Sequence, residues 1–518
     1  MTQQHSQHLI AGVNDKIPVG KSLILGLQHV LSMDLYIMPL ILGGAIGLKG
    51  GDLSFLLQMS FFACGIATLL QSGLFMKYPI VQGPSYVPLA ALCAIGATMG
   101  IPTMIGSLLP GAIVIMLLGV TKVFSKFIRK AIPPFIGGII ILIVGLTLVP
   151  TAVTGVFSTS GNFTVNAVSG CVTFVVLLAC MIAQYRMRNS RMLHMFSVII
   201  ALVAGTLAAW LMGGTDLSAV GQASWFSLPQ VFHFGAPRFN LQACLLMTVV
   251  YLFVLLDTTG TWFTVQAITG EPMEDERIDR GTIGEGLGCL VGALFGGTPM
   301  TGYSSNAGLI AITKVASRRV VIAGGAILVC LGFCPKLMAV ITSLPTPVIN
   351  GVFAMVCMTL ISNGVKMVKD TVMDDRATLI LGVSVMSGVS TMILPDSVIH
   401  MAPQFIQYFL SSGIAVGGTV AIALQLLLPK TRGSEAVRVQ GTDVAGDSGA
   451  GSAVSGAGLR YGSGVEVGDD GGTDVCAGVC AGACVGSAGA VRVADTGGVG
   501  PVGAGEVAGA VRIVNAQC

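Results

Sequence analysis

From residue 22 to residue 428 this chain is built of apolar runs of about twenty residues, each the length that spans a bilayer as a helix. Only short polar breaks separate them. Apolar residues make up 53% of the chain and charged residues 10%, whereas ordinary soluble domains carry about 25% charged residues. Most of the surface therefore faces lipid, and the backbone must satisfy its own hydrogen bonds, which selects helices. A net charge of +3 gives no case for nucleic acid as a partner. Residues 1–20 are polar and lack the apolar core of a cleavable signal, so the first run is expected to direct insertion.

At the ~20-residue criterion about fourteen spans can be marked, seven between residues 22 and 212 and seven between 241 and 428. The first is 22–47, the third 79–99, the eighth 241–264, the ninth 281–297, the tenth 302–316 and the eleventh 320–342. Basic residues test this count. They cluster after even-numbered spans, at Lys77, at Lys122 to Lys130, at Arg186 to Arg191, at Arg277 and Arg280, at Lys314 to Arg319, at Lys366 to Arg376, and at Lys430 and Arg432. After odd-numbered spans chiefly Lys49 and Arg238 occur. The positive-inside rule then places both termini in the cytoplasm of a multi-pass inner (plasma) membrane protein. Seven spans per half force the second half to run inverted relative to the first, an arrangement common in transporters.

Two spans are interrupted at corresponding places. Span three opens with Pro79-Ile-Val-Gln82-Gly83-Pro84-Ser85-Tyr86-Val-Pro88, where Pro and Gly prevent a regular helix. Span ten opens with Thr301-Gly-Tyr-Ser304-Ser305-Asn306-Ala-Gly308, polar where lipid-facing leucines would be expected. Each is predicted to be a short extended piece leading into a half-helix. Two helix N-termini would then present free N–H groups and positive dipole ends near the membrane midplane. Irregular backbone at that depth is tolerated where it lines a protein-enclosed cavity, so these breaks mark the expected substrate site.

Ionisable groups inside the spans narrow the chemistry. Asp257 lies well within span eight, where a carboxylate costs roughly 3 kcal/mol on insertion scales. It is expected to meet a ligand or carry a proton. Glu285, flanked by Gly284 and Gly286, suits either substrate contact or the tying of two helices. Gln28-His29 is a polar pair in span one, with structural and functional roles both open, and Asp34 has no assigned role. The chain holds no phosphate loop, nucleophile elbow or His-Glu metal motif. It reads as no enzyme, with no cofactor and no metal, and as a secondary transporter driven by an ion gradient. Past Arg432 the composition turns to Gly, Ala, Val and Ser, so 433–518 reads as a disordered cytoplasmic tail. Its Cys476, Cys480 and Cys484 lack the fourth ligand of a structural zinc site.

Taken together, these residues resemble the nucleobase–ascorbate transporter (nucleobase:cation symporter-2) family over roughly residues 20–430. Gln28-His29 matches that family's Gln-His pair in span one. Ser305-Asn306-Ala-Gly308-x4-Thr313-Lys314 matches its span-ten signature. Asp257 with Gly260 stands where the family has Glu followed by Gly, Glu285 matches its acidic residue in span nine, and Ser85-Tyr86 its span-three pair. The resemblance implies an all-α, fourteen-span 7+7 inverted repeat. Spans 1–4 and 8–11 would form a core domain and spans 5–7 and 12–14 a gate domain, both within 21–430. It further implies a homodimer through the gate, and H⁺ as coupling ion in preference to Na⁺. Asp257, Ser85, Tyr86, Ser304 and Ser305 would bind the base. Asp257, Glu285, His29, Gln28, Asn306, Gly308 and Thr313 would serve proton coupling or structural support.

Two departures bear on the substrate. Ser305 replaces a longer Gln or Glu, and Asp257 is one carbon–carbon bond, roughly 1.5 Å, shorter than Glu. A roomier site favours an oxidised purine such as xanthine or uric acid. Uracil, and an anion on the same 7+7 fold, stay open as alternatives.

Overall fold

Helices supply nearly all the regular structure in the computed structural model, which describes residues 9–429 except 132, 187–190, 215–217, 297, 370 and 411. The 433–518 tail with its three cysteines, and residues 1–8 of the N-terminal segment, lie outside the described residues. The first apolar run does not form one rod. It folds as α1 (Val19–Leu31) and α2 (Ile37–Ala45), interrupted at residues 32–36. Pro39 accounts for the restart. In the first turn of a helix a proline loses no hydrogen bond, whereas in a continuous rod it would remove one.

Next come α3 (Gly50–Thr68), prolonged by a π-helical stretch over Leu69–Phe75, then β1 (Gln82–Pro84), α4 (Leu89–Met99) and α5 (Ile101–Val120). The amphipathic α6 (Val123–Ala131) leads into α7 (Pro134–Phe157), α8 (Phe163–Arg186), α9 (Arg191–Leu211) and the short α10 (Ser218–Gln222). The second half opens with α11 (Leu241–Thr269), whose start is capped by Asn240 Oδ1 accepting from the Gln242 and Ala243 amides at 3.0 and 3.1 Å. Gly270, at φ 71°, ends it in the left-handed conformation that glycine adopts freely. There follow α12 (Asp275–Leu294), β2 (Met300–Gly302), α13 (Ser304–Thr313), α14 (Arg318–Leu331) and α15 (Pro335–Thr342). The chain continues through α16 (Thr346–Lys369), α17 (Asp375–Ser390), α18 (Asp396–Met401), α19 (Gln404–Leu410) and α20 (Gly413–Leu427).

Span eleven also departs from the rod expected of it. α14 and α15 meet at 86°, because Pro335 starts a new helix and cannot continue the old one. Among the described residues six helices are long and apolar enough to cross a membrane, or seven if that bent pair is one span.

Packing ties the helices into one body, in which α11 also reaches α7, α19 and α20. α1, α3 and α14 pack together, as do α3, α5, α11 and α12, while α7 packs against α16, α16 against α8, and α17 against α20 and α7. Where α1 crosses α14 the backbones nearly touch: a Cβ on Gly26 would lie 2.6 Å from the Gly324 amide nitrogen. Close approach of this kind replaces the hydrophobic drive that lipid removes between helices.

The two breaks meet as the sequence predicts. β1 and β2 pair antiparallel, with Gln82 opposite Gly302, Gly83 opposite Thr301 and Pro84 opposite Met300. Each three-residue strand satisfies the other's backbone where both are buried. Gly83 suits that place, because a Cβ would overlap the Tyr303 ring. The N-terminal segment straps the far end of α13: the Ile10 amide donates to the Lys314 carbonyl at 2.8 Å and the Ala316 amide to the Ala11 carbonyl at 2.9 Å.

Candidate substrate site

The threonine-rich turn after Asp257 holds β2 in place. The Gly302 amide donates to Thr258 Oγ1 at 2.8 Å, and Thr261 Oγ1 donates to the Gly302 carbonyl at 2.9 Å. β1 is held from α12, where Glu285 Oε2 accepts from Gln82 Nε2 at 2.8 Å. The Gln82 amide also donates to Thr68 Oγ1 at 2.9 Å. Asn306, on α13, donates from Nδ2 to the Pro79 carbonyl at 2.7 Å, and the Tyr303 hydroxyl donates to the Pro84 carbonyl at 3.0 Å. The strand pair is thus bound by side chains from α3, α11 and α12 and by Tyr303, while α13 holds the residue that leads into β1 through Asn306.

Against this hub lies a cavity of about 430 Å³. Asp257, Tyr86, Ser304, Ser305 and Gly308 all line it. Asp257 is partly open to it while its flanking residues on α11, Leu256 and Thr258, are buried. Its Oδ2 accepts from Thr301 Oγ1 at 3.2 Å, leaving further acceptor capacity on the carboxylate. Ser304, Ser305 and Gly308 lie along one face of the first turn of α13 and are exposed. No side chain caps that helix start, so its N–H groups and positive dipole end are available to a ligand. A Cβ on Gly308 would meet no atom within 4 Å. Helices α7, α8, α9 and α16 close the cavity opposite, with Asn363 and Lys366 of α16 at its wall.

The other expected residues stand behind this front. Ser85 is fully buried, its amide donating to the Pro299 carbonyl at 2.8 Å and its Oγ accepting from the Val87 amide at 3.3 Å, and it does not line the cavity. Glu285 and Asn306 are buried supports of the strand pair. His29 is buried beside Asn306, and Gln28 is half-buried on α1. Thr313 closes the end of α13, its Oγ1 donating to the Leu309 carbonyl at 2.8 Å.

Most other lining residues had no assigned role in the sequence, and three of them stand at the hub itself. Asp34 sits in the break between α1 and α2, and its Oδ2 accepts from the Tyr86 hydroxyl at 2.6 Å. Tyr303 and Thr301 flank the turn from β2 into α13. A charged residue five positions beyond His29 in an apolar run was the available signal for Asp34. The residues of α16 gave none, since nothing local tells which face of an apolar helix meets a cavity.

A permease family model matches residues 20–397. The chain belongs to that permease family. It is accordingly a multi-pass integral membrane protein and not an enzyme, as the resemblance to nucleobase–ascorbate transporters implies. Among its relatives is uric acid permease PucK of Bacillus subtilis, 32% identical over 78% of this chain and 94% of that protein. A nucleobase transporter of Paenibacillus larvae, PlUacP, is 34% identical over 79% of this chain and 94% of its own. Xanthine permease XanP of Escherichia coli is 28% identical over 83% and 96%. The fold is that of the transmembrane domain of the cyanobacterial bicarbonate transporter BicA (TM-score 0.56, 14% identity, 80% of this chain and 99% of that one). It is shared with the murine anion transporter Slc26a9 in its inward-facing state (TM-score 0.54, 13% identity, 80% and 69%).

Proposed function

We propose that this permease takes up a nucleobase by proton-coupled symport, with an oxidised purine such as xanthine or uric acid as substrate. The observation that carries this reading is Asp257, a carboxylate open only to a cavity at the uncapped start of a half-helix. A planar base presents ring N–H donors and carbonyl acceptors along its edge. Asp257 accepts from the former, while the amides of Ser304 and Ser305 donate to the latter. Tyr86 adds an aromatic wall. The relatives' names, uric acid and xanthine permease, support the purine. The openness beside Gly308 and the short side chain of Ser305 leave room for it.

The same carboxylate, alternately protonated and ionised as substrate and water come and go, supplies the proton site without any other cofactor. Fourteen spans in a 7+7 repeat fit the element order, if α1 with α2, β1 with α4, β2 with α13 and α14 with α15 each count as one broken span. In this reading α1–α5 and α11–α15 form a core that moves against a gate of α7–α9 and α16–α20. Cytoplasmic termini in the inner membrane follow from the basic residues, and dimerisation through the gate from the family resemblance. An anion substrate is favoured by the fold neighbours and by Lys366, but Asp257 and Asp34 on the same cavity oppose it. Uracil, and Na⁺ as coupling ion, are the other outcomes.

The test is uptake of labelled xanthine, urate, uracil and guanine by cells producing the full chain, with and without a protonophore. Saturable, protonophore-sensitive uptake of xanthine or urate is expected. Uptake that resists the protonophore and follows Na⁺ overturns the coupling ion. No uptake of any base by protein present in the membrane overturns the substrate class.

A further inference from the structure

The break between α1 and α2 places Met33 and Leu35 in the protein interior, 4% and 1% exposed. Asp34 between them remains partly open and lines the cavity. Ser32 lines it too, but its hydroxyl already donates to the His29 carbonyl at 3.0 Å. The one side chain among the described residues that donates to Asp34 is Tyr86, whose hydroxyl meets Oδ2 at 2.6 Å, beside a contact with the Asp34 backbone amide. Among the described residues no basic side chain forms an ion pair with it. A carboxylate accepts about four hydrogen bonds, and placing one inside a membrane protein is costly unless something is there to use it. Tyr86 is meanwhile held from its other side, stacked on Phe353 of α16 with ring centroids 5.7 Å apart. Its position therefore does not depend on Asp34 alone.

We propose that Asp34 is a second substrate-facing carboxylate, so that the cavity reads N–H donors on two edges of one base, with Asp257 at one edge and Asp34 at another. This rests on the nucleobase reading above and adds to it a specificity-determining residue on a different element. A ligand with N–H groups on both rings of a purine satisfies both carboxylates. A base with a methyl group at either of those nitrogens loses an acceptor contact and collides with the carboxylate it should meet. The alternative role for Asp34 is purely positional, holding the Tyr86 hydroxyl.

The experiment is competition of mono-N-methylated xanthines against labelled xanthine, in the wild-type full chain and in Asp34→Ala and Tyr86→Phe. In the wild type at least two methyl positions are expected to weaken competition. Asp34→Ala, which removes the acceptor and opens space, is expected to bring the methyl-to-parent ratio toward one at a single position and to leave the other penalised. Tyr86→Phe, which keeps the ring, is expected to retain both penalties. If Asp34→Ala does not reach the membrane, Asp34→Asn replaces it. That variant is expected to lose roughly tenfold in affinity for xanthine, the loss of a charge-assisted contact, with no loss for the one methylated analogue lacking that donor. Wild-type ratios at every position in the Asp34 variant overturn the proposal. So does a Tyr86→Phe pattern identical to that of Asp34→Ala, which would make Asp34 a positioning residue. A wild type that takes up no base fails before any variant is compared, and that failure belongs to the nucleobase reading.

Discussion

At the scale of single residues, the front of the cavity and its support make different demands. Asp257→Asn keeps size and hydrogen bonding to Thr301 but cannot carry a negative charge. It is expected to reach the membrane at wild-type level and to lose gradient-driven uptake by at least tenfold, measured against facilitated exchange of the same base. Wild-type accumulation by this variant would remove Asp257 from the coupling role. Glu285 is 1% exposed and serves Gln82 on β1. Glu285→Ala leaves a buried amide donor unpaired, at a cost of about 1–3 kcal/mol, and should lower the melting temperature of the purified protein. An unchanged melting temperature would show that Glu285 does not hold the strand. Gly308 faces open space, so Gly308→Leu should fold normally while shrinking the cavity and excluding purines before pyrimidines, which a competition series reads directly.

At the scale of elements, the strand pair decides where everything else sits. Each strand has three residues, too short to be stable alone, and persists because threonine and glutamate side chains of α3, α11 and α12 bind it, with the Tyr303 hydroxyl on Pro84. Gly83→Ala should therefore be disruptive far beyond its size, since the added Cβ overlaps the Tyr303 ring. The expected result is loss of high-affinity substrate binding with the helical content retained, checked by ligand-induced thermal shift and circular dichroism. Normal binding by Gly83→Ala would mean that Tyr303 yields freely and that the hub is loose. Both interrupted spans were legible in the sequence, because Pro and Gly in an apolar run have few other uses. The breaks after α1 and in span eleven were not, although Pro39 and Pro335 mark them in retrospect. A single proline in a membrane helix more often kinks it than divides it, so composition alone did not separate the two cases.

At the scale of the whole molecule, the cavity lies where the half-helices face α7, α8, α9 and α16. Ser304 Oγ on α13 accepts from Asn363 Nδ2 on α16 at 3.5 Å, a contact that joins the proposed core to the proposed gate. If core and gate move against each other during transport, a disulfide between Ser304→Cys and Asn363→Cys should arrest uptake under oxidation, and a reductant should restore it. Each single variant supplies the control for the native cysteines. Full uptake by the oxidised, cross-linked pair would rule out relative motion at this contact.

Composition and spacing alone established that the chain lives in a bilayer, that two polar segments break its helices, and that Asp257 is the carboxylate to explain. Those conclusions rest on local chemistry: the length of an apolar run, the missing N–H of proline, the cost of a charge in hydrocarbon. Which residues share the cavity was settled by the three-dimensional packing. It brought Asp34 and Tyr86 together across 52 positions, put Gly308 at the cavity wall, and turned Ser85 away into the turn before α4. Such pairings depend on how apolar helices rotate and cross. Because every face of a membrane helix is apolar, the pattern that marks the buried side in a soluble protein is absent.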